Sequence, residues 1–314
     1  MTLQMKGDWG QGNLHRICGW LAQELGDRAP EGTKTAIWTG RGGADAVAAL
    51  RDREVDIAIL VPAAFGPMAR HGIGLFDGLP MPELRALGTM PQTDRLVLAL
   101  AGEHGISTFK ELRARQPALR IATGPDDGIN PVGWAARAVL KAHGITANDI
   151  EQWGGQFVIA ERPFQLLDYV IEGSADAILF EAVMEPLWHE ATRLRDLVFL
   201  PMEDAALASL EAQYAWPPAV VQKGWFPGLE QDLPTAEFSD FIVLAREDLD
   251  ADVAGLLAWA MVETRANLER FYRHIPAEQS PVTWPLVPTK IAQTSIPLHP
   301  GAAAQYERLG VMPQ

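Results

Sequence analysis

One phrase occurs twice in this chain and narrows what it can fold into. Leu50-Arg-Asp-Arg-Glu-Val-Asp56-Ile-Ala-Ile-Leu60 returns, relaxed, as Val170-Ile-Glu-Gly-Ser-Ala-Asp176-Ala-Ile-Leu-Phe180. Each copy reads as a helix end, a tight turn, an aspartate and a buried strand. The copies lie far apart, so they mark equivalent places in two similar lobes. Two α/β lobes facing each other enclose a cleft, and clefts are where small ligands bind.

The flanking pattern extends each copy into a βαβαβ run. The first has strands over residues 3–6, 35–38 and 56–61, with helices from Asn13 and over 44–50. Leu14, Ile17, Leu21 and Leu25 share one face of its first helix, and Asn13 is the expected cap. The second has strands over 119–123, 150–153 and 175–181, with helices over 132–143 and 163–172; Gly144 ends the former. Apolar runs at 84–90 and 95–101 and a strand over 197–201 add to these. A strand over 238–245 reads as the return crossing into the first lobe, followed by a long helix over 250–272 and a short one over 302–309. Strands alternating with helices predict an α/β fold, each lobe a mostly parallel sheet flanked by helices, the two joined by crossing strands. The expected lobes are 1–94 plus 240–314 and 95–239, with the ligand cleft between them.

The 314 residues, 48% hydrophobic and 21% charged, suit two globular domains. The net charge of -14 comes without a Lys/Arg stripe, so no nucleic acid is expected as a partner. The single Cys18 excludes an internal disulfide and a cysteine-rich zinc site. No stretch approaches the roughly 18 apolar residues of a membrane span, so the chain is not expected to be membrane-inserted. Met1-Thr-Leu-Gln-Met-Lys6 runs straight into a strand pattern and has no apolar signal-peptide core. That start fits a trimmed leader or a cytoplasmic protein.

In an open α/β sheet the ligand sits beyond the carboxyl ends of the strands. Three glycine-bearing loops leave such ends and enter helices, at residues 7–13, 39–44 and 124–131. Helix N-termini favour anions, so three of them facing one cleft suit a carboxylate. The first loop carries Asp8, Trp9, Gly12, Asn13, His15 and Arg16; the second Trp38, Thr39, Arg41 and Gly42; the third Asp126, Asp127 and Asn130. Arg41 is the candidate carboxylate clamp, because a guanidinium grips a carboxylate with two parallel hydrogen bonds. Trp9 and Trp38 offer faces for a planar ligand, with core packing as the plainer role. None of the loops is a nucleotide motif, and no cofactor is implied.

The second copy of the repeat runs straight into Glu181, which is expected at the sheet's carboxyl edge as a ligand acceptor or an acid/base group. Glu181, Glu185 and His189 fall four apart, but Pro186 favours a helix beginning there, so no metal site is expected. There is no G-x-S-x-G motif, and Cys18 on an apolar helical face reads as inert core.

The chain resembles the TAXI-type solute receptors of tripartite (TRAP) transporters. The likeness rests on Thr39-Gly-x-Gly-Gly43, Glu54-Val-Asp-Ile-Ala-Ile59, Leu84-Arg-Ala-Leu87, Gly173-Ser-Ala-Asp-Ala177 and the closing Ile296-Pro-Leu-His-Pro-Gly-Ala302 with Tyr306. It runs nearly end to end and in order. It implies the type II periplasmic-binding-protein fold, a small organic anion as ligand, a TRAP membrane subunit as partner and a periplasmic location. Carried over, it points to the loops at 10–13, 39–45 and 124–130. The first and third loops depart from the family's usual Tyr-Tyr-Pro-like and Gly-Ser-Gly-Thr forms, as does Glu181, which stands where a small residue is usual.

Two functions follow. One is a receptor that binds a small carboxylate by lobe closure. The other is a cytosolic, cofactor-independent decarboxylase or lyase for an aromatic or cyclic acid, since fold does not fix function. In the second, Arg41 holds the substrate carboxylate and Glu181 or His15 moves a proton.

Overall fold

The computed structural model describes residues 2–10, 12–182 and 187–312, apart from the side chains of Pro163 and Glu278. In chain order, β1 (Thr2–Lys6), α1 (Asn13–Gly26), β2 (Lys34–Trp38), α2 (Ala44–Arg51), β3 (Ile57–Leu60), α3 (Gly66–His71) and β4 (Leu84–Met90) come first. Next are β5 (Arg95–Ala101), α4 (Phe109–Arg115), β6 (Arg120–Thr123), α5 (Pro131–Ala142), α6 (Ala147–Gln152), β7 (Gln156–Ile159), α7 (Pro163–Ile171) and β8 (Ala177–Ala182). Then follow α8 (Leu187–Leu194), β9 (Leu197–Leu200), α9 (Asp204–Tyr214), β10 (Pro218–Val221) and β11 (Leu233–Glu237). The chain ends with β12 (Phe241–Arg246), α10 (Ala251–Glu263), α11 (Arg265–Glu269), α12 (Pro288–Ala292) and α13 (Pro300–Arg308). It divides into two compact units, Met1–Thr93 with Ser239–Gln314, and Asp94–Phe238.

The first unit's sheet runs β2-β1-β3-β12-β4, and the second's β10-β11-β5-β8-β6-β7 with β9 also on β5. The parallel pairs are β1/β2 and β1/β3 in one unit and β6/β7 and β6/β8 in the other. They belong to the two βαβαβ runs. The remaining pairs are antiparallel, so each sheet is mixed. The four residues of β3 are fully buried, as a strand covered on both faces must be. Leu14, Ile17, Cys18, Leu21 and Leu25 of α1 pack into a core with Met5, Ile57, Ile59 and the apolar side of α10. Their spacing of three and four residues puts them on one helical face.

The repeat has one structural role in both units. Asp56 Oδ2 accepts from the Gln4 amide of β1 at 2.8 Å, and the Asp56 amide donates back to the Gln4 carbonyl at 2.9 Å. Asp176 Oδ2 accepts from the Arg120 amide of β6 at 2.8 Å, and the Asp176 amide donates back to the Arg120 carbonyl at 2.8 Å. Each aspartate thus locks the incoming strand against the start of its parallel neighbour. The turn before it needs one left-handed residue, Arg53 (φ 59°) in one copy and Gly173 (φ 75°) in the other. The second lock is stronger, because Arg120 adds a guanidinium fork on Asp176 at 2.9 and 2.6 Å.

Two expected elements change, and two strands are added. Residues 150–153 were expected as a strand, but Thr146 and Asp149 form a capping box that starts α6, and the strand is β7. The long helix over 250–272 breaks at Thr264, whose hydroxyl donates to the Ala260 carbonyl and accepts from Trp20 Nε1. The sequence reading also has no strands at β10 and β11. Pro218 and Pro234 conceal them, since proline argues against a strand except at edges and ends. The C-terminal signature is structural: Pro297 and His299 bridge to Ala86, and Tyr306 donates to the Leu87 carbonyl at 2.7 Å.

Asp176→Ala is expected to cost about 2 kcal/mol and Asp56→Ala about 1 kcal/mol, since each leaves a strand amide without its acceptor while the ion pairs are screened. Urea unfolding of both variants checks the order. A second prediction concerns His143, buried with both ring nitrogens engaged. Nδ1 donates to the Val139 carbonyl at 2.8 Å, and Nε2 accepts from the Glu203 amide at 3.0 Å. Phe109 stacks on the ring, and Glu203 in turn holds Arg113. Burial therefore holds the imidazole below its ordinary pKa. A depressed pKa gives stability that is full above about pH 6.5 and is lost as pH falls below it. His189 is lowered by burial too and contributes in the same sense. The urea midpoint should fall from about pH 7 to about pH 5, and fall less in His143→Gln.

Candidate ligand-binding site

The first two loops lie together at the carboxyl ends of β1 and β2. The Gly7 amide donates to the Trp38 carbonyl at 3.1 Å, and the Gly40 amide to the Asp8 carbonyl at 3.1 Å. Within this frame Asp8 is buried, and its carboxylate accepts from the amides of Gly12 (3.1 Å), Leu14 (3.0 Å) and His15 (3.3 Å). The N-terminus of α1 is thereby occupied by the chain's own carboxylate. A Cβ on Gly12 would lie 2.0 Å from Asp8 Oδ2, so only glycine fits there.

Gly12, not Asn13, holds the cap position of α1, and Asp8 does the capping from outside the helix. Asn13 turns to Tyr272, whose hydroxyl donates to its Oδ1 at 3.0 Å. Burial pushes the Tyr272 phenol up to about 12, opposed in part by Arg16, whose guanidinium lies 5.9 Å from the ring centre. The sequence reading did not include Tyr272; it is remote in the chain, and no local pattern marks it.

The second loop also spends an aspartate on its own backbone, on amides that precede the helix. Asp45, in the first turn of α2, accepts from the amides of Arg41 (2.9 Å) and Gly43 (3.2 Å) and faces Lys6 Nζ at 3.5 Å. Arg41 is half-buried and Thr39 exposed. Gly42 takes φ 74° and its carbonyl accepts from Val61. Trp38 is 54% exposed and is held by a 2.8 Å bond from Nε1 to Gln4 Oε1. It is a surface indole, not a core one.

The third loop, in the second unit, is also self-capped. Asp127 Oδ1 accepts from the Ile129 and Asn130 amides, both at 3.0 Å. Asn130 Oδ1 accepts from the Gly133 amide at 2.9 Å and caps α5. Asp126 is exposed. Asp8 takes the Leu14 and His15 amides in the first turn of α1 and Asn130 the Gly133 amide in the first turn of α5, whereas Asp45 and Asp127 take loop amides that precede α2 and α5.

Two polar atoms in the first loop region stay unused. Trp9 Nε1 and His15 Nδ1 are shut off from solvent and have no hydrogen-bond partner among the described residues. Buried donors and acceptors are seldom left so. Glu181 is half-buried near the end of β8, opposite Leu96 of β5, and its carbonyl accepts from Trp188 Nε1 at 2.9 Å. Glu185 and Pro186 lie outside the described residues. The Cys18 thiol is pushed up to about 12 by burial, which keeps it protonated and unreactive.

Asp8→Ala removes an acceptor from three amides and is expected to cost about 2 kcal/mol, whereas Asp126→Ala on the exposed loop stays within about 0.5 kcal/mol. Thermal or urea unfolding of the pair checks this.

The profile of the NMT1-like family matches residues 16–310. No curated protein sequence matches the chain. Among solved structures, PhnD1 from Prochlorococcus marinus, in complex with methylphosphonate, is 13% identical, with 99% of each chain covered and a TM-score of 0.55. A TctC solute-binding protein from Polaromonas, without ligand, is 13% identical over 86% of this chain and 88% of that one, with a TM-score of 0.51. A protein from Xanthomonas citri bound to ATP is 12% identical over 92% of each, with a TM-score of 0.50. At such identities the likeness is one of fold, the two-lobed α/β fold of periplasmic binding proteins. By the extent of the profile match, the chain belongs to the NMT1-like family.

Proposed function

We propose that this chain is a solute-binding protein that takes a small organic anion at the loop end of its first unit. The observation that carries this is the pair of unused polar atoms, Trp9 Nε1 and His15 Nδ1, on the loop and helix start beyond β1. Leaving such groups unpaired costs free energy that a polar ligand recovers. The exposed Trp38 at the end of β2 supplies a face for the ligand body. Because Asp8 already takes amides in the first turn of α1, the charge of the anion falls there to side chains, and Arg16 and Arg41 are the arginines on these segments. The TAXI likeness supports delivery of the solute to a TRAP-type membrane subunit in the periplasm. No described helix is long and apolar enough to cross a membrane.

The test is a thermal-shift screen of organic acids and methylphosphonate. A ligand present at about a hundredfold excess over its Kd adds about 2.7 kcal/mol of apparent stability. Trp9→Phe keeps the ring, loses Nε1, and should weaken a hit about tenfold, equivalent to about 1.4 kcal/mol, with the unliganded stability unchanged. A screen with no hit, or hits indifferent to Trp9→Phe and His15→Phe, overturns this site. A hit that is consumed, followed by NMR of the ligand, moves the function to the decarboxylase or lyase.

A further inference from the structure

Arg137 lies on α5, outside all three loops, and its environment in the second unit is unusual. Its guanidinium carbon sits 3.5 Å from the centre of the Phe157 ring of β7. Nη1 is shut off from solvent and makes no hydrogen bond with a described residue. Three other arginines of this unit have carboxylates within reach: Arg95 pairs with Glu237 at 2.9 Å, Arg113 with Glu203 at 2.8 Å and Arg120 with Asp176 at 2.6 Å. Arg137 makes no ion pair with a described residue. Asp126, exposed on the loop that enters α5, is the acidic group acting on it, from beyond ion-pair distance. Burial works against its charge.

A guanidinium stripped of water on one side loses hydration that stacking on an aromatic ring only partly replaces. The ring attracts the cation through its face and accepts none of the in-plane N–H groups. Those groups form the fork that fits two oxygens of a carboxylate or phosphate-like group. Arg137 as a residue stays partly exposed, so it is not sealed from solutes. We propose that Arg137, on its Phe157 platform, is an oxyanion-binding site of the second unit, for ligands bearing a carboxylate, phosphonate or phosphate. It goes beyond the first-unit site and does not depend on it.

The experiment follows the Arg137 Nε–Hε resonance of the full ¹⁵N-labelled chain, assigned by its loss in Arg137→Lys. Acetate, methylphosphonate and inorganic phosphate are titrated separately, against chloride at matched ionic strength. The expected result is a saturable shift with at least one oxyanion, its midpoint below about 10 mM, and none with chloride. Amide resonances around Phe157 should move with it and stop moving in Arg137→Gln, whose remaining spectrum reports that the unit is folded. Linear drift equal to that of chloride, for all three oxyanions, overturns the site. So does a shift of the same resonance in Asp126→Asn with no oxyanion present, opposite in direction to the oxyanion shift and comparable in size, which would assign the guanidinium to Asp126. Trp9→Phe should leave the titration unchanged, so failure of the first-unit site and failure of this one are seen apart.

Discussion

The parallel core of each unit depends on one hydrogen-bonding pattern. An aspartate one residue before a central strand grips the amide of the first strand of the run, and its own amide returns the bond to the same residue's carbonyl. Parallel strands have no hairpin to set their register; their partners arrive after a helix and must be aligned from outside. The two bonds at Gln4 and at Arg120 do that. They fix β3 on β1 and β8 on β6, and so place the opposite strand ends, where the loops begin.

Aspartate serves those loops as well. Asp8 and Asp45 reach the starts of α1 and α2, and Asp127 folds its own loop before Asn130 caps α5. A loop rich in glycine beside a helix start reads in sequence as an anion site. The same geometry is satisfied as well by a carboxylate in the chain. In this chain it is, and the acidic composition is put partly to that structural use.

This explains what was legible in the sequence. The repeat announced two βαβαβ runs because helix, turn, aspartate and strand follow one another directly, and each step has a local signature. The antiparallel strands around them were harder. Pro218 and Pro234 disguise β10 and β11, and the break at Thr264 depends on Trp20, far away in the chain. In the candidate site the sequence brought forward Trp9, His15 and Trp38 as ligand-facing residues. It could not separate them from Asp8 and Asn130, because whether a polar side chain serves the backbone or a ligand depends on which donors already have partners. That accounting needs coordinates.

The same accounting bears on specificity. A site that binds an anion through backbone amides reads charge and little else, since every such cradle offers similar donors. Where a carboxylate of the chain has taken such amides, as Asp8 has at the start of α1, recognition in the proposed site would pass to indole, imidazole and guanidinium groups, whose shapes differ. An indole N–H donates one bond in one direction; a guanidinium fits a pair of coplanar oxygens. In the site proposed for this chain, ligand choice would rest on side chains of the first two loops and the start of α1. Altering the side chain of Trp9, His15 or Arg16 removes no acceptor from the amides at the start of α1, which Asp8 holds.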